Sequence, residues 1–168
     1  GKAKGINIVT WNFRMKQPKS AKGKTLSRSS LTSPRALPGT YKVVMTKGKE
    51  TYSTELVLVA DPNSVLSMEA RAEQHRTTMQ LYDMIQELAY LIYELDGIVE
   101  IAEKVKSVDP EATKISQPVV HELTALKETL VITKGDNYVA SAEEQLREKL
   151  GNLYSRVASS FDRPNDVE

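Results

Sequence analysis

The first third of the chain alternates between apolar and polar positions. Residues 5–13, 41–46 and 51–59 alternate in this way and are rich in β-branched and aromatic side chains, the pattern of strands with one buried face. The sequence Lys-Gly-Lys-Glu at residues 47–50 is typical of a tight connection. Three strands are therefore predicted, the last two forming a hairpin, with a short edge strand near residues 25–31.

The period changes from two to 3.6 after the sequence Asp-Pro-Asn at residues 61–63, which favours helices. Helices are predicted over about 64–106, 117–133 and 141–161. The apolar seam of the first helix is predicted at Leu81, Ile85, Leu88, Ile92, Leu95, Val99 and Ala102, widened by Met84, Leu91, Ile98 and Val105. A rotated stripe nearer its start should dock on the β part: Met68, Ala72, His75, Met79 and Tyr82.

The helix boundaries follow from capping and breaking residues. The sequence Val-Asp-Pro at 108–110 should end or bend the first helix. Ser116 is predicted to cap the second helix, and Gly135 to end it. Ser141 and Glu144 have the spacing of a capping box for the third helix. The predicted apolar stripes are Val119, Leu123, Leu126 and Leu130 on the second helix, and Leu146, Leu150, Leu153, Val157 and Phe161 on the third.

The predicted fold class is α+β. A small antiparallel β module over residues 1–61, with a long basic loop at 14–36, precedes an antiparallel helical bundle over 62–168. Three or four strands are fewer than the about seven of an immunoglobulin-like sandwich, so an incomplete immunoglobulin- or fibronectin-like module is expected. Capping and acidic residues at 163–168 favour the start of a fourth helix.

Charge is segregated along the chain. Residues 1–49 hold 12 Lys and Arg and no acid, whereas residues 50–168 hold 11 basic and 22 acidic residues. A basic segment can bind nucleic acid, but this one lacks the interleaved aromatic residues that stack on bases. Packing on the chain's own acidic helices or on a neighbouring domain is the favoured interpretation, and no nucleic-acid partner is expected.

Residues that could perform chemistry are few. The chain has no cysteine and two histidines, without metal-ligand spacing. His75 lies on an apolar stripe and is expected to be packed or hydrogen-bonded in the core, while His121 should be solvated. Neither a glycine-rich phosphate loop nor a nucleophile elbow is present. No cofactor, metal site, membrane span or enzymatic activity is expected.

Three stretches resemble a known family. Residues 5–14 (GINIVTWNFR), 37–43 (LPGTYKV) and 59–62 (VADP) are similar to the C-terminal region of large secreted bacterial proteins with sortilin-like, BNR (Asp-box) β-propellers, often labelled glycosyl hydrolases. The resemblance implies a module that follows the propeller and contacts it, in an extracellular or periplasmic protein. The family's catalytic acids would lie upstream, and no residue here matches them.

The resulting hypothesis is a non-catalytic accessory or interaction module whose partners are the upstream propeller or a second copy of the chain. The alternative is a glycan-binding module that assists a polysaccharide-degrading enzyme. Trp11, Tyr41 and Tyr52 are the aromatic candidates for ligand or partner contact, together with Arg14. A core position for Trp11 is favoured over a glycan contact, because it is the single Trp and lies on an alternating segment.

Overall fold

The computed structural model describes residues 4–23, 31–106, 110–134, 143–160 and 163–164. Within them, an antiparallel hairpin precedes three helices, which confirms the α+β class. The strands are β1 (Gly39–Lys47) and β2 (Glu50–Leu58). The helices are α1 (Met68–Lys106), α2 (Pro110–Leu130) and α3 (Leu146–Ser159), and α1 packs against both others.

The predicted hairpin is confirmed, and its register follows from its turn. Lys47 pairs with Glu50, so Gly48 and Lys49 form a two-residue connection. Gly48 has a φ of 63°, and two-residue hairpin turns of this kind favour glycine because positive φ strains side chains with a Cβ. The same register continues to the pair of Gly39 with Leu58.

The predicted strand over residues 5–13 is wrong. This segment is irregular, and its neighbour Arg14 forms an isolated antiparallel bridge with Arg35. Ile6 and Ile8 are 95% and 86% exposed. Alternation signals a side-chain pattern, but a strand also requires a neighbour for its backbone hydrogen bonds, and neither edge of the hairpin pairs with this segment as a strand. The predicted edge strand near 25–31 falls, except for Leu31, outside the described residues.

The central seam of α1 is confirmed as the core of the bundle. Its first five predicted positions are buried, with Ile92 only 2% exposed. The helix begins four residues later than predicted, where the Ser67 hydroxyl accepts a hydrogen bond from the Ala70 amide at 3.1 Å. The positions predicted to widen the seam are instead exposed by 41–48%: Met84, Leu91, Ile98 and Val105.

The early turns of α1 contact the basic loop of the predicted β module, where the Tyr82 hydroxyl donates to the Gln17 carbonyl at 3.4 Å, but they do not dock on its strands. Neither strand packs along a helix in the described part of the chain, and Met68 is 51% exposed. The buried side chains of these turns are polar, namely Gln74 and Thr78. Gln74 Nε2 donates to the Val157 carbonyl at 2.9 Å and also to the Ser160 carbonyl. The start of α1 therefore packs on the C-terminal end of α3. His75 is partly buried beside them, whereas His121 is exposed.

The predicted start of α2 is wrong, because Pro110 begins the helix. A proline is well tolerated there, since its fixed φ suits the first turn and its missing N–H has no partner to lose. Ser116 lies inside α2 and donates to the Thr113 carbonyl. Gly135, the predicted stop, is outside the described residues; α2 ends at Leu130. The predicted stripe is partly exposed, by 42% at Val119 and 47% at Leu126.

The predicted start of α3 is wrong in the other direction, since it lies five residues too early. The helix begins at Leu146, and Glu144 precedes it as an irregular residue that accepts a hydrogen bond from Asn152. Ser141 and Phe161 lie outside the described residues. Leu150 and Val157 are buried as expected, but Leu146 is 42% exposed. The residues at 163–164 are not helical.

The basic segment, meaning the described residues of the predicted basic loop at 14–36, packs against the helices. Its Ala21 is 5% exposed within the core cluster, and its carbonyl accepts a hydrogen bond from Arg147 of α3 at 2.9 Å. Lys19 lies 5.0 Å from the ring centroid of Tyr90 on α1, a cation–π distance. The segment thus contributes to the helical core through Ala21 and contacts α1 through Lys19.

Candidate partner-binding surface

One face of the hairpin exposes mostly apolar side chains. Residues paired across the two strands, and residues two apart on one strand, share a face. Tyr41 pairs with Leu56 and Met45 with Tyr52. The exposed fractions are 46% for Val43, 57% for Met45, 49% for Tyr52 and 38% for Leu56. We call this set the hairpin face: Tyr41, Val43, Met45, Tyr52 and Leu56.

The opposite side and the edges of the hairpin are also uncovered. Val44 is 53% and Val57 64% exposed on the opposite side. Within the described residues the sheet has two strands, so β1 and β2 each leave one edge without a neighbouring strand. Such edges present rows of N–H and C=O groups that readily pair with another strand. A two-stranded sheet alone is marginally stable in water, so additional strands would be expected to stabilise it.

Three of the four predicted contact residues come together at the start of the hairpin. The Trp11 ring meets the Phe13 and Tyr41 rings edge-on, with centroids 5.3 Å and 5.1 Å apart. Trp11 Nε1 donates to the Arg14 carbonyl at 2.9 Å, and the Tyr41 hydroxyl donates to the Leu37 carbonyl. Trp11 is partly buried. Because its ring contacts Tyr41 of β1, this aromatic cluster anchors residues 11–14 to the start of the hairpin.

The fourth predicted residue, Tyr52, lies away from this cluster. It is four positions along β2 from Leu56, the partner of Tyr41, a separation of roughly 13 Å at the usual rise per strand residue. Its hydroxyl donates to Glu50 Oε2 at 2.7 Å, and this hydrogen bond raises the pKa of Tyr52. The four residues therefore do not form one stacking platform for a sugar ring.

A cavity of about 750 Å³ lies next to the aromatic cluster and was not predicted. It is bounded by residues 12–14 and 35–38, by the linker from β2 to α1, and by the first turn of α1. Three guanidinium-bearing residues line it: Arg14, Arg35 and Arg71. They are 21 and 36 residues apart in the sequence, so no local motif links them, and Arg14 alone was singled out.

Each arginine is positioned by a hydrogen bond to the fold. Arg14 Nη1 donates to the Ser33 carbonyl at 2.6 Å, and Arg71 Nη1 donates to Gln74 Oε1 at 2.5 Å. Arg35 Nη1 donates at 3.2 Å to the carbonyl of Ser160, just beyond the end of α3. Burial, followed by the neighbouring guanidinium groups, lowers the pKa of both Arg35 and Arg71.

No group of three or more histidine, aspartate or glutamate side chains is arranged to hold a metal ion in the described residues. No helix among those residues has the length and apolar character needed to cross a membrane. Comparisons with protein-family models, with curated proteins and with solved structures find no match to this chain. A functional interpretation therefore depends on the hairpin surface, the cavity and the resemblance described above.

Proposed function

We propose that the chain is a non-catalytic interaction module that joins a helical bundle to a β-structured partner through its hairpin. The observation that carries this proposal is the exposure of the hairpin face, with Met45 57% and Tyr52 49% exposed. The bundle, in contrast, buries its own core, including Ile92 and Tyr154. Helix α1 also exposes apolar side chains, such as Tyr93 and Ile101, but within the described residues the hairpin combines exposed faces with two open strand edges.

The chemistry of the hairpin favours a β-sheet partner. An apolar helix would cover one face of the hairpin, but it would leave both edges without hydrogen-bond partners. Adjacent strands satisfy the edges and bring side chains against the faces. The segment before the hairpin supports the same partner, because Ile6, Ile8 and Val9 are 95%, 86% and 82% exposed and their alternation suits a strand that pairs with another domain.

The resemblance supplies the identity of this partner in our proposal. The partner is the β-propeller that precedes this region in the secreted bacterial proteins whose C-terminal motifs the chain shares. On that basis the parent is extracellular or periplasmic, and any hydrolytic residues belong to the propeller. The module then stabilises the propeller or presents the bundle to a further component.

Binding to the propeller, produced as a separate polypeptide, tests the proposal by calorimetry. The variant Val43→Asp/Leu56→Asp places two charges on the hairpin face and should weaken binding at least about tenfold, because a charge is costly to bury without a partner. The matched control is Ile115→Asp, at a position 77% exposed on α2, which should bind like the wild type. Unchanged affinity of the hairpin variant would refute the proposal.

Light scattering coupled to size exclusion, at several concentrations, tests whether a second copy of the chain covers the hairpin instead of the propeller. We expect a monomer whose hairpin amides exchange with solvent faster than those of the α1 seam, since the hairpin lacks covering contacts. Addition of the propeller should slow the exchange of residues 39–58. A dimer that the hairpin variant dissociates would instead identify a second copy as the occupant and would overturn the propeller assignment.

A further inference from the structure

The cavity beside the aromatic cluster concentrates positive charge. Its lining contains three arginines and one carboxylate, that of Asp61, so the formal charges sum to +2. The Asp61 carboxylate accepts a hydrogen bond from the Asn63 amide at 2.9 Å and is thus engaged in the linker turn. In the described part of the chain, neither Arg14 nor Arg71 forms an ion pair with a carboxylate.

The guanidinium groups of Arg14 and Arg71 retain hydrogen-bonding capacity. A guanidinium has five N–H donors, and within the described residues each of these two side chains donates one hydrogen bond. Burial of arginine without a carboxylate is costly unless another anion is bound. Burial, followed by the neighbouring Arg14 guanidinium, lowers the pKa of Arg71.

The remaining walls define what kind of anion would fit. Ser67 and Met68, at the N-terminal end of α1, line the cavity, and the helix dipole there adds partial positive charge. Phe13, Pro38 and Leu66 form an apolar part of the lining. A volume of about 750 Å³ lies within the range of small-molecule sites.

We propose that this cavity binds a carboxylate attached to an apolar group, with Arg14 and Arg71 holding the carboxylate. The planar guanidinium matches the two carboxylate oxygens, and the apolar wall receives the rest of the ligand. The source is a free organic acid or an acidic side chain beside an apolar residue on another protein; the two share this chemistry. The site is separate from the hairpin face and does not depend on the proposed propeller contact.

Fluorescence of Trp11 offers a direct probe, because its indole donates to the Arg14 carbonyl and it is the single Trp in the chain. The whole protein is titrated with phenylacetate, with its neutral analogue phenylacetamide and with inorganic phosphate, at constant ionic strength. Phenylacetate should give a saturable change. Phenylacetamide should bind at least about tenfold more weakly, since it lacks the charge that strengthens hydrogen bonds to arginine.

The variant Arg71→Met removes the guanidinium while keeping an apolar stem of similar length. It should weaken phenylacetate binding at least about tenfold and leave phenylacetamide binding unchanged. The matched control is Arg76→Met, which removes the same charge from the same helix at a side chain 68% exposed and outside the cavity lining. It should bind phenylacetate like the wild type. Circular dichroism checks that both variants are folded.

A blocked dipeptide, N-acetyl-Glu-Phe-amide, distinguishes the two sources. Tighter binding of phenylacetate supports a free organic acid, and tighter binding of the dipeptide supports an acidic side chain of a protein. The proposal is overturned by equal binding of phenylacetate and phenylacetamide, by tighter binding of inorganic phosphate, by retention of phenylacetate affinity in Arg71→Met, or by absence of any saturable response. Loss of the propeller interaction in the hairpin variant leaves these outcomes unaffected.

Discussion

Gly23 allows the basic segment to pass closely over the end of α2 and the start of α3. A Cβ atom built on Gly23 would lie 2.5 Å from Val131 Cγ2 and 2.7 Å from Arg147 Cζ. Both separations are well below the roughly 3.5–4.0 Å that is optimal between non-bonded carbon atoms, so the atoms would repel one another. The variant Gly23→Ala should therefore displace the segment or the residues beneath it.

Neither neighbour of Gly23 can move without cost. Val131 is fully buried, at 0% exposure, and its β-branched side chain is stiff. Arg147 is 8% exposed and is held by the Ala21 carbonyl and by Glu148. Overpacking of this kind lowers the free energy of unfolding by about 1–3 kcal/mol. For a protein of this size the melting temperature should fall by roughly 2–12 °C.

Gly97 provides the matched control, because it takes the same substitution in an open environment. It lies inside α1, and a Cβ there would have no atom within 4 Å. Gly97→Ala should raise the free energy of unfolding by about 0.5–1 kcal/mol, since alanine favours a helix interior. Thermal unfolding of both variants, followed by circular dichroism and repeated with urea, measures the two opposite shifts. A Gly23→Ala protein as stable as the wild type would refute the close approach of the basic segment.

Two further predictions concern the helices. Ile92→Ala, at 2% exposure, should lower the free energy of unfolding by about 2–5 kcal/mol in urea denaturation, whereas Ile101→Ala, at 63% exposure, should change it little; equal effects would argue against a core at Ile92. Burial is the main cause that lowers the pKa of His75, so the folded state favours neutral imidazole, and stability should fall as the pH drops below about 6.5, the usual histidine pKa. Urea denaturation near pH 7 and pH 5 should show a smaller loss for His75→Gln than for the wild type or for His121→Gln at an exposed position; equal losses in all three would contradict the assignment.

Sequence patterns predicted those elements whose determinants are local. The register of the hairpin depends on a turn in which Gly48 has positive φ, and a glycine between two alternating runs is a strong short-range signal. The seam of α1 repeats over several turns, so its period identifies the buried positions from Leu81 to Leu95. Both features depend on residues close together in the sequence.

Elements that depend on distant partners were missed. Gln74 and Thr78 are 3% exposed, yet no hydrophobic pattern marks polar residues as buried. Gln74 is buried because its amide reaches carbonyls at the end of α3, 83 and 86 residues away in sequence. Likewise, the alternation of residues 5–13 indicates a strand, but the pattern carries no information on whether an adjacent strand is present to pair with it.

The buried face of α3 shows most clearly where the basic segment belongs. Arg147 and Tyr154 are buried there, although neither belongs to the predicted apolar stripe of α3. Their side chains donate hydrogen bonds to the Ala21 and Thr32 carbonyls of the basic segment. Buried polar groups require such partners, so this segment is part of the helical core. Within the described residues, the hairpin is left with two exposed faces and two open edges. Helix α1 also exposes apolar side chains, among them Met84 and Ile98, but a helix has no open strand edge to pair with a β-structured partner, which is why the proposed partner is placed on the hairpin.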